Sequence, residues 1–336
     1  MHLLPFTLNY MMNSFKTRFA GLDLPNPIII ASSGLTGTAE KNKELEKAGA
    51  GAIILRSVFE EQIEIETKTE KQPASDNAID ASKNIEKSVQ ITDYLQLIRE
   101  TKNKCHIPVI ASVICHKVGS WIDFVRQIEI AGADAIELNI FALSTDNNGY
   151  TNSLEQVYLQ ITKKVKELLS IPIIVKINKY FSHIVQLTAD LQEAGASGVV
   201  LFNRFCQPDI DIQRLQFHCG DVFSSTSELA DTLRWTPIVN SKLPNLSIAS
   251  CTGIHDWESI VKCILSGASA VEICSAVYQY GNEVISAMKQ GMEEWMNAMN
   301  FCSIGDFKSK LNTVCLEDPS LHERNLFKRY FSDRDS

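Results

Sequence analysis

The chain has 336 residues, 45% hydrophobic and 21% charged, enough to bury one large core. Its formal charge of −8 argues against a nucleic-acid or anionic-membrane surface, and no apolar run reaches the roughly 18 residues that a bilayer span needs. Nine cysteines without a CxxC pair or His-rich spacing point to a reducing compartment, the cytoplasm, with no metal site and no disulfide frame.

The opening MHLLPFTLNYMMNSFKTRF has an apolar patch but neither a basic start nor a small-residue cleavage site. Residues 1–14 are therefore expected to be a disordered leader, with Met11 or Met12 an alternative start. Strands are expected at 27–32, 52–57, 108–114, 135–140, 172–177, 198–203, 247–251 and 271–275. Helices are expected at 39–48, 90–103, 120–131, 154–169, 184–194, 257–266 and 281–299. One helix-to-strand joint recurs in ELEKAGAGAIILRS, RQIEIAGADAIELN, DLQEAGASGVVLFN and KCILSGASAVEICS. Gly49, Gly132, Gly195 and Gly267 each fall where a helix C-terminus needs a left-handed residue.

The strands are almost continuously hydrophobic, as strands buried on both faces are, and their alternation with helices implies a parallel sheet. Eight such units form a single (β/α)8 TIM barrel over 15–310, followed by a tail at 311–336. An open doubly wound sheet is disfavoured, because no GxGxxG follows the first strand. Two polar excursions, 61–87 and 204–245, leave the C-terminal ends of the second and sixth strands. That is the face where barrels build their sites.

The strand ends carry polar groups that no core would select: Ser32, Ser33 and Gly34; Arg56; Asn139; Lys176; Asn203 and Arg204; Thr252 and Gly253; Cys274 and Ser275. Lone Ser or Asn residues often cap turns. Lys176 sits in IIVKI and must meet a counter-charge, with Glu137 one candidate, or an anionic or electron-deficient ligand. The loops after strands 7 and 8, with small residues and a short turn, suit a phosphate.

In this order the strand ends resemble the class 1 dihydroorotate dehydrogenases, from about Phe15 to Lys310. The matching stretches are Ala31-Ser32-Ser33-Gly34, Leu55-Arg56-Ser57, Glu137-Leu138-Asn139, Val175-Lys176, Asn203 and Cys251-Thr252-Gly253-Ile254. The resemblance implies FMN at the barrel mouth and oxidation of dihydroorotate to orotate in pyrimidine biosynthesis, with a soluble electron acceptor. It implies that Ser32, Ser33 and Gly34 run along the flavin ring and that Lys176 lies beside its N1–C2=O edge. Asn139 and Asn203 would reach flavin and substrate, Arg56 the substrate, and Thr252, Gly253, Cys274 and Ser275 the phosphate.

The departures fall on substrate and base. Family members place a cysteine base after E-L-N, and here the run Ile140-Phe141-Ala142-Leu143-Ser144 puts Ala142 in its place. Ser144 and the Cys115-His116 pair are the remaining candidates. Two other readings stay open: a flavin-binding relative with another substrate or little turnover, and a flavin-free phosphate-binding barrel. A homodimer is the default expectation for a soluble oligomer.

Overall fold

The computed structural model describes residues 14–64, 91–142, 153–312 and 319–332; residues 1–13 of the expected leader 1–14 lie outside them, and Ser14 is held in place, its N donating to Cys302 O at 2.8 Å. Eight parallel strand positions close into a barrel. In order round it they are β3 (Ile28–Ile30), β4 (Ala52–Ile54), β6 (Val109–Cys115), β7 (Ala135–Ile140), β8 (Ile173–Ile177), β9 (Gly198–Leu201), β12 (Ser247–Cys251) and β13 (Ala270–Ile273). Closure comes from β3 pairing with both β13 and β4, and β4 with β6. A short β5 (Val58–Phe59) continues the second unit along the outer half of β6.

The four repeated joints explain how each helix returns to the sheet. Gly49, Gly132, Gly195 and Gly267 all have φ between +99° and +115°. Each accepts the left-handed turn that ends its helix, and the small residue after it lets the helix lie against the next strand. At Gly267 no other residue fits: a Cβ would sit 2.5 Å from the Asn240 carboxamide.

Both faces of the strands are buried, yet they alternate. Ile28, Ile30, Ile53, Val109, Ile136, Val175 and Ile248 face the helices, and Ile29, Ala52, Ile54, Ile110, Ala135, Ile174 and Ala249 face the lumen. The hairpin β1 (Thr17–Phe19) and β2 (Leu22–Leu24) plugs the lower end. Its Phe19, Ala20 and Leu24 join the lumenal set, and Thr17 Oγ1 donates to Ser269 O at 2.8 Å. Gly198 is small because Phe19 and Ala20 come within 3.1 Å of where its Cβ would be.

Three expectations need correction. Residues 204–245, expected above as a polar excursion, contain a hairpin, β10 (Pro208–Asp211) with β11 (Gln216–Cys219), and then a 14-residue helix, Leu229–Lys242. The helix expected at 281–299 is Glu283–Ala298, but where a short turn was expected before it a further helix, Ser275–Tyr280, forms, with Gly281 at φ +78° between them. Cys206 and Cys219 are disulfide-bonded across the neck of the hairpin, against the expectation of none, because strand pairing brings residues 13 apart to a Cα separation of 5.9 Å. Among the described residues no helix is long and apolar enough to cross a membrane.

Candidate active site at the barrel mouth

Continuing the inward alternation upward replaces hydrocarbon with charge. After Ala135 come Glu137 and Asn139, after Ile174 comes Lys176, and after Ala270 comes Glu272. Lys176 Nζ lies 2.5 Å from Glu272 Oε2 and 4.0 Å from Glu137 Oε1. The lysine side chain is 6% exposed and both carboxylates 0%. Glu137 is thus a secondary counter-charge; Glu272, which sequence reading passed over inside an apolar strand, is the primary one.

Burial, and then the neighbouring Glu272, push the Glu137 carboxyl well above the ordinary range. Burial works against the Lys176 ammonium, but Cys251, Glu137 and Glu272 outweigh it and hold the lysine above its usual value. Burial likewise raises the Cys251 thiol, to about 12.

Several polar atoms here lack protein partners. Glu137 Oε2, Asn139 Oδ1, Glu272 Oε1 and Arg204 Nη2 are buried without a hydrogen-bond partner among the described residues. A buried group left so costs about 1–3 kcal/mol, which marks a place where a ligand's polar groups belong. A chain of hydroxyls leads down beside them. Ser32 Oγ is 2.7 Å from Ser57 Oγ, which is 2.8 Å from Ser112 Oγ, and Ser112 is the register partner of Glu137.

A cleft of about 190 Å³ opens above. It gathers Ser32, Lys176, Asn203, Arg204, Thr252, Gly253, Cys274 and Ser275 from the residues expected in sequence, and adds Ser224 and Glu272. A second, smaller pocket shares Asn203, Arg204 and Thr252 with it and is lined further by Lys179, Tyr180, Phe205, Glu228 and Asp231. Asn139 sits below the cleft, opposite Lys176 in register, with its Nδ2 3.5 Å from Glu137 Oε1. Ser33 caps the short helical turn at 34–36, and Gly34 lies under Tyr278, whose Oη would be 2.9 Å from a Cβ there. Arg56 is exposed at the rim, against Gly37 and outside both linings.

On the strand 7–8 side the turn after β12 is left-handed at two successive residues, Thr252 (φ +77°) and Gly253 (φ +81°). Gly253 is required by packing, since a Cβ would lie 2.3 Å from the Leu229 backbone nitrogen. Thr252 Oγ1 turns back to Phe202 O at 3.0 Å. Helix Ser275–Tyr280 starts at the cleft with Cys274 as its cap and no side chain satisfying its first N–H groups. Ser275 Oγ accepts from Ser224 N at 3.0 Å, and Ser224 Oγ is 3.0 Å from His255 Nε2. The end of the 204–225 excursion thus folds against this cradle. The uncapped N–H groups and orphaned acceptors beside Lys176 suit a group with a polar ring and an anionic tail, as FMN has.

The base is the weak point. Ala142 carries no titratable group, and Ser144 lies outside the described residues. Cys115 faces the helices, and burial pushes its thiol well above normal, so it is not a base for the mouth. His116 Nδ1 is paired with Glu60, whose carboxyl burial raises. Glu60, Glu61 and His116 form a cluster that sequence reading did not see, and Glu60 Oε2 also accepts from His116 N at 2.8 Å.

A profile of the dihydroorotate dehydrogenase family matches residues 14–296. The chain is 27% identical over 301 residues to the catalytic subunit of dihydroorotate dehydrogenase B (NAD(+)) of Pyrococcus furiosus, covering 87% of this chain and 96% of that one. It is 26% identical over 302 residues to the subunit of the same name from Thermoplasma acidophilum, covering 88% and 98%. It is also 21% identical over 311 residues to the Escherichia coli NAD-dependent dihydropyrimidine dehydrogenase subunit PreA, covering 88% and 76%. With the closed barrel and the charged mouth, this match across nearly the whole chain places the protein in the dihydroorotate dehydrogenase family of oxidoreductases.

Proposed function

We propose that the protein is an FMN-dependent oxidoreductase of the dihydroorotate dehydrogenase type, acting in the cytoplasm on a saturated CH–CH bond of a cyclic amide and passing electrons to a soluble acceptor. The observation that carries this reading is Lys176, sealed at 6% exposure beneath a cleft that also holds Ser32, Asn203 and Glu272. FMN supplies the two-electron acceptor. Lys176 and Asn139 would meet its ring edge, Ser32, Ser33 and Gly34 would pass along it, and Thr252, Gly253, Cys274 and Ser275 would surround its phosphate. Asn203 and Arg56 would serve the substrate, with Ser144 as a proton acceptor. Aerobically purified protein should be yellow and release FMN on denaturation, and Lys176→Ala should lose or weaken the flavin. A colourless protein that takes up no FMN on reconstitution would overturn the reading.

Dihydroorotate, oxidised to orotate in pyrimidine biosynthesis, is the first substrate to test. A second reading, a flavin protein for a different ring, is favoured by Ala142 where the family's cysteine base stands and by the dihydropyrimidine named for the Escherichia coli relative. The apolar face of the 208–219 hairpin, with Ile210 paired to Phe217, is the surface a second copy would cover in a homodimer. Phe217 is 78% exposed and Leu215, at the tip, 85%.

A further inference from the structure

Cys206 and Cys219 differ from the other cysteines in setting as well as in bonding. Cys105, Cys115, Cys251 and Cys263 are thiols sealed in the core, whereas both residues of the Cys206–Cys219 bond are exposed to solvent. An exposed disulfide in the cytoplasm proposed above exchanges with the pool of small thiols, and disulfides kept in that compartment are chiefly catalytic or redox-sensing.

The bond closes the neck of a hairpin whose two feet both stand in the site. On the outward side Asn203, Arg204 and Phe205 run directly into Cys206. Asn203 and Arg204 line both pockets, and Phe205 lines the smaller one and stacks on Phe141 with ring centroids 3.9 Å apart. On the return side Val222 and Ser224 line the cleft, and Ser224 N donates to Ser275 Oγ at 3.0 Å. Arg204 ties the two feet together, its Nη1 donating to Val222 O at 2.9 Å and its Nε to Glu228 Oε2 at 3.0 Å.

The pairing that backs up the bond is modest. β10 and β11 share four register pairs, every residue of β11 faces solvent, and Gly220 N donates to Gln207 O at 2.8 Å across the neck. A two-stranded ribbon with no packed face is marginal in water, so the covalent link decides whether this neck stays shut.

We propose that Cys206 and Cys219 form a thiol–disulfide switch on the barrel mouth. Oxidised, the pair clamps the neck and fixes Asn203, Arg204 and Ser224 where they line the site. Reduced, it lets the neck open and loosens the hold on whatever the mouth binds. In the closing step the two S–H bonds break and one S–S bond forms. Two electrons and two protons pass to a small-molecule disulfide such as oxidised glutathione, which leaves as two thiols. Two such thiols reverse the exchange.

The test equilibrates the full chain in glutathione buffers from fully reduced to fully oxidised and counts thiols by alkylation and mass. The 206–219 pair should pass from alkylated to bonded within that range. A pair that stays reduced throughout, or stays bonded throughout, overturns the switch. Residue-resolved hydrogen exchange then compares the two forms. The Gly220 and Ser224 amides should exchange at least about ten-fold faster after reduction, with the barrel strands unchanged, and equal exchange overturns the clamp. Titration with FMN reads the mouth itself: its Kd should rise about ten-fold on reduction, and an unchanged Kd overturns control of the site. Cys206→Ser should behave as the reduced form in every buffer, and a variant that still responds to thiol overturns the assignment to this pair. Should FMN bind in neither state, the flavin reading falls, and exchange at Gly220 and Ser224 still decides the switch.

Discussion

The lower and upper halves of the barrel lumen are built by the same inward alternation of the same strands, yet they are filled on opposite terms. Below, Phe19, Ala20 and Leu24 of the terminal hairpin meet Ile29, Ile54, Ile110 and Ile174 in a set that needs no partner from outside. Above, Lys176, Glu137, Glu272 and Asn139 leave three buried acceptors unpaired. The lower half closes the fold. The upper half carries a cost within the fold that a ligand can relieve, and that contrast locates the site more firmly than any one motif does.

Breaking the upper half at its cation should cost most. Lys176→Met leaves Glu272 sealed without its partner and should lower unfolding free energy by about 3–5 kcal/mol in urea titration, besides weakening FMN. At the rim, Gly253→Ala meets both a φ of +81° and a Cβ 2.3 Å from the Leu229 nitrogen. A loss on the order of 2 kcal/mol is expected by the same titration.

Glu137→Gln sharpens the comparison through pH. A carboxyl that the fold raises above its unfolded value contributes fully below that value, and the contribution is lost as pH rises, because the unfolded chain gives up the proton first. Thermal unfolding of native protein and variant from about pH 5 to about pH 8 should show a gap in the variant's favour that widens upward, by at most about 1.4 kcal/mol per pH unit. Ile174→Val, one inward step below Lys176, should cost only about 1 kcal/mol and the same at every pH. The smallest effect on stability belongs outside the barrel: Leu215→Glu with Phe217→Glu should change it by less than about 0.5 kcal/mol while converting a dimer to monomer in light scattering.

How much of this could be read in advance depended on range. The barrel followed from local signals, the four glycine joints and the buried strands, and Lys176 announced itself as a cation between Val175 and Ile177. Glu272 did not, because one acid in SAVEIC reads as a strand until β13 is placed near β8, with Nζ–Oε contact between residues 96 apart in sequence. The helix at 229–242 was hidden by Pro237, which reads as a break but is accommodated inside it. The Cys206–Cys219 bond depended on a hairpin whose strands, PDID and QFHC, carry weak propensity.

The plug at the lower end bears on how the molecule can be handled. Its hairpin presents Asp23, with a side chain 94% exposed, on the face opposite the cleft. A single cysteine introduced there would tether the protein to a bead or chip with the mouth pointing away. Ligand capture on such a surface would be unhindered, whereas an electrode gripping that end would sit a whole barrel's height from the mouth and exchange electrons poorly with a flavin bound there.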